Sequence, residues 1–144
     1  MTDATPPLSA EASQLRSAIV RLSRRLRNER AVDSMSDGQL AVLGILKMHG
    51  THTLGELADR ERVSAPSMNR TVNCLEQDGL VSRSPDEADR RKVNIALTAE
   101  GIAVVEETLR RRDAWLEDAL LELSGDERRR LRDAVDVIAR MAER

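Results

Sequence analysis

Aromatic side chains are nearly missing from this chain of 144 residues, which has one Trp, no Phe and no Tyr. Its core must rest on Leu, Val, Ile, Ala and Met. A single cysteine, Cys74, rules out an intrachain disulfide and fits a reducing compartment. No long Pro/Gly linker interrupts the chain, so one compact subunit is expected. No apolar run is long enough to span a bilayer, and Met1–Ala10 holds no apolar signal core. The chain is therefore expected to be cytoplasmic, with no membrane partner. Catalytic signals are missing as well: there is no Gly-rich phosphate loop, no paired-carboxylate motif and no Ser/His/Asp order. Neither an enzyme nor a cofactor is expected. His49 and His52 stand three apart with no cysteine or clustered acid beside them, which is poor zinc chemistry. His49 reads better as a cation at a helix C-terminus.

What is present is charge, 33% of residues, and aliphatic residues in helical register. The net charge of −2 argues weakly against a polyanionic partner, yet distribution matters more than the sum. Between Arg16 and Arg30 lie Arg16, Arg21, Arg24, Arg25, Arg27 and Arg30 against one acid, Glu29. Glu106, Glu107, Glu117, Asp118 and Glu122 crowd a later segment instead. A homodimer would double both patches.

Periodicity places the elements. Leu15, Ile19, Leu22 and Leu26 form one stripe of a first helix from about Leu8 to about Ala31. Ser36-x-x-Gln39 is a capping box opening a helix through Leu40, Leu43 and Leu46 that closes at Gly50. Thr53-x-x-Glu56 opens a short third helix in the same way. Thr98 caps a long helix carrying Ile102, Val105, Leu109, Leu116 and Leu120, and Ser124-x-x-Glu127 caps a last one with Leu131, Val135 and Ile138.

Residues 63–97 carry the functional signal. Ser64 is placed as an N-cap, with Val63 and Met68 positioned for a hydrophobic staple. Gly79 supplies the left-handed stop, after which Leu80 folds back on Leu75. Met68, Val72 and Leu75 point inward. The outward face holds Ala65, Ser67, Asn69, Arg70 and Asn73, small or hydrogen-bonding and without an acid, as suits a helix touching base edges and phosphates. Pro66 shapes the first turn, where its missing amide costs nothing. Cys74 reads as a small semi-buried apolar residue. Leu80–Arg83 is a short apolar run, Ser84–Asp89 is turn chemistry, and a second strand begins at Arg90-Arg91-Lys92 and alternates through Val93, Ile95 and Leu97. A helix followed by a basic-tipped hairpin is a winged helix-turn-helix.

The string Leu75-Glu76, Gly79-Leu80-Val81, Arg83, Asp86, Asp89-Arg90-Arg91, Leu97-Thr98-x-x-Gly101 resembles the signature of MarR-family transcription regulators. The resemblance extends over nearly the whole chain. It implies a mostly α fold with a small β-wing in a single domain over 1–144. Dimerisation helices would span 8–33 and 98–143 and a winged helix-turn-helix 34–97, with the recognition helix at 64–78 and the wing at 80–97. By position, Ser64, Ser67, Asn69, Arg70, Asn73, Arg83, Asp89, Arg90, Arg91 and Lys92 become the DNA-binding residues. Asp89 would orient Arg91 toward a minor groove with Arg90 alongside, although either arginine fits the groove. Some relatives are thiol switches, but their reactive cysteine commonly lies in the first helix, and this chain has none there.

The long amphipathic helices flank a winged unit too small to cover their apolar faces, so a second copy of the chain is the expected partner. Leu15, Ile19, Leu22, Leu131, Val135 and Ile138 are the expected dimer contacts. The functional expectation is a homodimeric repressor on a pseudo-palindromic operator in double-stranded DNA, and the resemblance implies that it is ligand-responsive, released by a small-molecule effector of unidentified class bound between the dimerisation helices and the winged unit. Trp115 would pack in the dimer core or at the hinge. Two other readings stay open on these residues: a low-specificity architectural DNA binder, and a helical protein-interaction module.

Overall fold

The computed structural model describes residues 6–144, so the Met1–Ala10 reading lies partly outside the described residues. Six helices and three short strands follow in the order α1 (Leu8–Asn28), α2 (Asp37–His49), β1 (His52–Thr53), α3 (Leu54–Glu61), α4 (Ala65–Gln77), β2 (Val81–Pro85), β3 (Val93–Leu97), α5 (Ala99–Leu121) and α6 (Gly125–Ala142). The fold is a winged helix-turn-helix between long flanking helices.

Local capping chemistry sets most helix starts. Ser36 and Ser124 each form complete capping boxes, with Gln39 and Glu127 returning a side-chain bond to the cap. Thr53 supplies only half a box: its hydroxyl accepts from the Glu56 amide, and no return bond forms. Thr98 accepts from the Gly101 amide and donates its hydroxyl to the Gly79 carbonyl at 2.6 Å, joining the start of α5 to the end of α4. At Gly101 a Cβ would collide with the Leu80 carbonyl oxygen and crowd the Leu97 side chain. Glycine at the third residue of α5 therefore lets the helix rest on strand backbone.

α1 starts without a side-chain cap and ends at Asn28, three residues before the expected Ala31. Its end is held from a distance. Arg112 Nε donates to the Leu26 and Glu29 carbonyls, each at 3.2 Å, Arg111 to the Arg30 carbonyl at 2.8 Å, and the Ala31 amide donates to Thr108 Oγ1 at 3.1 Å. Arg112 thus adds a second donor to the Leu26 carbonyl, which the Glu29 amide already caps at 3.0 Å, and α5 cations take the carbonyls of Glu29 and Arg30 just past the helix end. The Arg25 guanidinium lies 4.8 Å from the Trp115 ring centre, which adds a cation–π contact between the same two helices.

The sheet has three strands, where a two-stranded wing was expected. β1 pairs with β3 (His52 opposite Ile95), and β3 pairs with β2 (Val81 opposite Leu97), all antiparallel. β3 begins at Val93, leaving Arg90, Arg91 and Lys92 in the loop and not on the strand. His52 is buried, with Nδ1 2.7 Å from the Gly50 carbonyl oxygen, so the ring anchors the turn into β1. The core gathers Val42, Leu43, Leu46, Leu57, Met68, Val72, Leu75 and Ile95 beneath α2, α3, α4 and the sheet. Neither α1 nor α6 contributes a buried residue.

Candidate nucleic-acid interface

The turn between α3 and α4 sets the angle of α4. Arg62 adopts φ 53°, the one non-glycine residue with positive φ among the described residues, and the Val63 amide reaches back to the Ala58 carbonyl at 3.0 Å. An arginine in this conformation costs on the order of 1 kcal/mol, offset by the two backbone bonds that close α3. Ser64 then caps α4 through its hydroxyl, which accepts from the Ser67 amide at 3.2 Å. Met68 is buried, but Val63 stays 42% exposed, so the expected staple is at most loosely closed.

At the other end the Leu80 amide donates to the Leu75 carbonyl and the Gly79 amide to the Glu76 carbonyl, both at 2.9 Å, with Gly79 at φ 73°. This Schellman stop buries Leu80 over Leu75, as the spacing predicts. Between the caps, Met68, Val72 and Leu75 are buried while Ala65, Pro66, Arg70 and Asn73 are exposed. Cys74 corrects the sequence reading: a semi-buried residue is expected there, and the side chain is exposed. Four residues after Arg70, it falls on the outward side of α4, away from the stripe of Met68, Val72 and Leu75.

The sequence pattern places Arg83 among the DNA contacts, and its guanidinium turns onto α4. Nη1 and Nη2 donate to Asn69 Oδ1 at 3.1 and 3.2 Å, and Nη2 donates to Asn73 Oδ1 at 2.5 Å. Its Nε lies 3.5 Å from the Glu76 carboxylate.

The wing tip is organised by two aspartates. Asp86 accepts from the amides of Ala88 and Asp89 at 3.0 and 2.9 Å, and these backbone bonds hold its carboxyl below the ordinary range. Asp89 accepts from Arg91 three times: from the amide and Nε at 3.1 Å, and from Nη2 at 3.3 Å. The Arg91 guanidinium is the first cause that lowers the Asp89 pKa, so the carboxylate stays charged well below neutral pH. The Arg91 side chain remains 91% exposed, oriented but free on its outer side. Arg90 and Lys92 are exposed beside it.

The arginine run on α1 is only partly available. Arg30 is committed to the Arg27 and Met35 carbonyls and to Asp37, and Arg25 pairs with Glu29. The expected dimer residues are exposed on both helices: Leu15, Ile19 and Leu22 on α1 by 40–47%, and Leu131, Val135 and Ile138 on α6 by 43–59%. A crevice of about 530 Å³ opens between the end of α1, α2 and α5, with Arg27, Asp37, Leu40, Met48, Leu109 and Arg112 in its walls. No described helix is long and apolar enough to cross a membrane.

Comparison with known proteins agrees with this arrangement. A MarR family profile matches residues 35–93, covering α2 through the start of β3. An uncharacterised HTH-type transcriptional regulator of Mycobacterium leprae is 38% identical over 132 residues, 92% of either chain. The HTH-type transcriptional repressor MdtR of Bacillus subtilis is 32% identical over 76% of this chain and 68% of its own. The crystal structure of a transcriptional regulator protein from Pseudomonas aeruginosa superposes with a TM-score of 0.85 at 32% identity, covering 97% of this chain and 99% of that one. With the capped helix, the clamped wing and relatives matched nearly end to end, the chain belongs to the MarR family of transcription regulators.

Proposed function

We propose that this regulator is a homodimeric repressor that occupies a pseudo-palindromic operator and gives it up to a small-molecule effector. The observation that carries the reading is the pairing, within one chain, of a base-reading face with uncovered apolar stripes. α4 presents Asn69, Arg70 and Asn73 without an intervening acid, while α1 and α6 bury nothing in the single chain. An isologous pair covers those stripes and places two copies of α4 on one side, at half-sites about one helical turn apart. Ser67, Asn69, Arg70 and Asn73 take the major groove, Ser64 lies at the backbone beside the helix start, and Arg90, Arg91 and Lys92 take the adjacent phosphates or minor groove. Repression by occupancy extends to this chain the role named for the B. subtilis relative, the transcriptional repressor MdtR.

The crevice between α1, α2 and α5 suits the effector because its walls belong to both the dimerising helices and the winged unit. A molecule that prefers the released spacing of the two α4 copies by ~100-fold shifts the equilibrium by about 2.7 kcal/mol per site. Selection of bound duplexes from a random library, repeated with sedimentation of the protein, tests the reading. An inverted repeat bound by a dimer is the expected result. Recovery of no motif, or of a single half-site bound by a monomer, overturns it.

A further inference from the structure

We propose that Arg83 is a positioning residue for base recognition: it turns the amides of Asn69 and Asn73 into donor-only groups, so that the bases they meet are guanine or thymine and not adenine. The proposal rests on the reading of α4 as the DNA-contacting helix. Asn69 and Asn73 lie one helical turn apart, and both Oδ1 atoms accept from the same guanidinium on β2. An arginine has donors and no acceptor, so only the oxygen of each amide can face it. The Nδ2 groups must then face away from β2. Asn69 Oδ1 takes two donors, which uses both of its lone pairs.

Arg83 itself has little freedom to do otherwise. Its side chain is 22% exposed, and Nε is buried without a hydrogen-bond partner, with the Glu76 carboxylate at 3.5 Å on that side. Glu76 continues the row begun by Asn69 and Asn73, so all three polar groups along one edge of α4 converge on one cation. The guanidinium is directed at α4.

The consequence is a matter of donors and acceptors. An asparagine reads adenine by donating to N7 and accepting from the N6 amino group. With Oδ1 already engaged, the second bond cannot form, so adenine keeps only the donation to N7 and its N6 amino group is left without a partner, whereas guanine offers two acceptors. Cytosine, with its N4 amino group, is disfavoured for the same reason. Guanine O6 and N7 and thymine O4 are acceptors, and they match a donor-only amide.

The test uses the full-length protein. Random-library selection is performed with wild type, Asn69→Ala and Arg83→Met, followed by titration of base variants and salt slopes. The expected wild-type motif carries guanine or thymine at the position whose preference disappears in Asn69→Ala, and placing adenine there weakens binding by about 10-fold. In Arg83→Met that penalty is expected to shrink to within about 3-fold while the salt slope stays unchanged. Adenine at the Asn69-dependent position of the wild-type motif overturns the proposal, even if Arg83→Met fails to fold. An Arg83→Met protein that keeps the wild-type base preference, or loses salt slope without changing it, also overturns it. If wild type enriches no motif at all, the fault lies with the DNA-contact reading of α4 and not with Arg83.

Discussion

Asp89 and Arg91 are joined by three hydrogen bonds across two residues of the wing loop, one from the Arg91 amide and two from its guanidinium. The pairing gives the wing a distinctive signature. Asp89→Ala removes a negative charge, and simple electrostatics predicts tighter binding to DNA. Loss of the clamp predicts the reverse for the operator, because Arg91 must then be ordered at the moment of binding. Operator affinity is expected to fall several-fold, with binding to random duplex unchanged or stronger. Fluorescence anisotropy at fixed salt distinguishes the two, and a tighter operator complex would remove Asp89 from the mechanism. Arg91→Ala is expected to reduce the salt slope as well, by about one for each phosphate that is no longer neutralised.

Cys74 provides a direct probe of occupancy. It is the single cysteine, exposed and one helical turn from Arg70. Alkylation with a maleimide should proceed readily in the free protein and block operator binding by steric exclusion, with the oligomeric state unchanged. Saturating operator should protect the thiol, as read by intact mass. Equal labelling of the free protein and the complex would place α4 away from the duplex.

How much of the fold is legible in the residues depends on how far apart along the chain the partners lie. The caps at Ser36, Ser64, Thr98 and Ser124 each involve partners three residues away, and short spacings reveal them all. Asp89 and Arg91 lie two apart, but their pairing is implied by the family resemblance and not by the spacing. β1 is not legible, because a two-residue strand exists only through its pairing with β3, and His52 meets Ile95 from far along the chain. The redirection of Arg83 depends on how β2 lies against α4, which residue types alone do not set. Cys74 misleads because it neighbours Asn73 and Leu75 in sequence, while the buried stripe passes it by. Gly101 stands out in sequence only as part of a motif, and its physical reason is the Leu80 backbone beneath it. Gly101→Ala is expected to destabilise the fold by ~1–3 kcal/mol, measured by urea denaturation. An unchanged midpoint would show that α5 shifts at no cost.

The hold of α5 on the end of α1 predicts a stability effect far from the DNA face. Thr108 is 3% exposed and accepts from the Ala31 amide. Thr108→Val keeps the shape and removes the acceptor, leaving a partly buried amide unpaired at a cost of ~1–3 kcal/mol. Arg112→Ala frees the Glu29 carbonyl, leaves the Leu26 carbonyl with the Glu29 amide alone, and is expected to increase hydrogen exchange at the end of α1. Both effects should appear in thermal melts and exchange maps. Wild-type protection across residues 26–31 in both variants would show that α1 is fixed by other contacts.

The apolar stripes of the flanking helices carry a prediction about assembly. Val135 and Ile138 on α6 are 59% and 43% exposed, and Leu15, Ile19 and Leu22 on α1 show the same partial exposure. Most of a helix's stability in a protein comes from packing its apolar face, so these bare stripes call for an apolar partner. Ile138→Glu is expected to cost several kcal/mol of association if the charge is buried unpaired against a second copy. The single chain should keep its core, since neither residue belongs to it. Specific operator binding should then collapse while weak non-specific binding survives, because affinity for two half-sites depends on their being held together. Sedimentation at micromolar concentration, run beside operator titration, reads both effects. A variant that remained dimeric and bound the operator as wild type does would assign these stripes to something other than dimerisation.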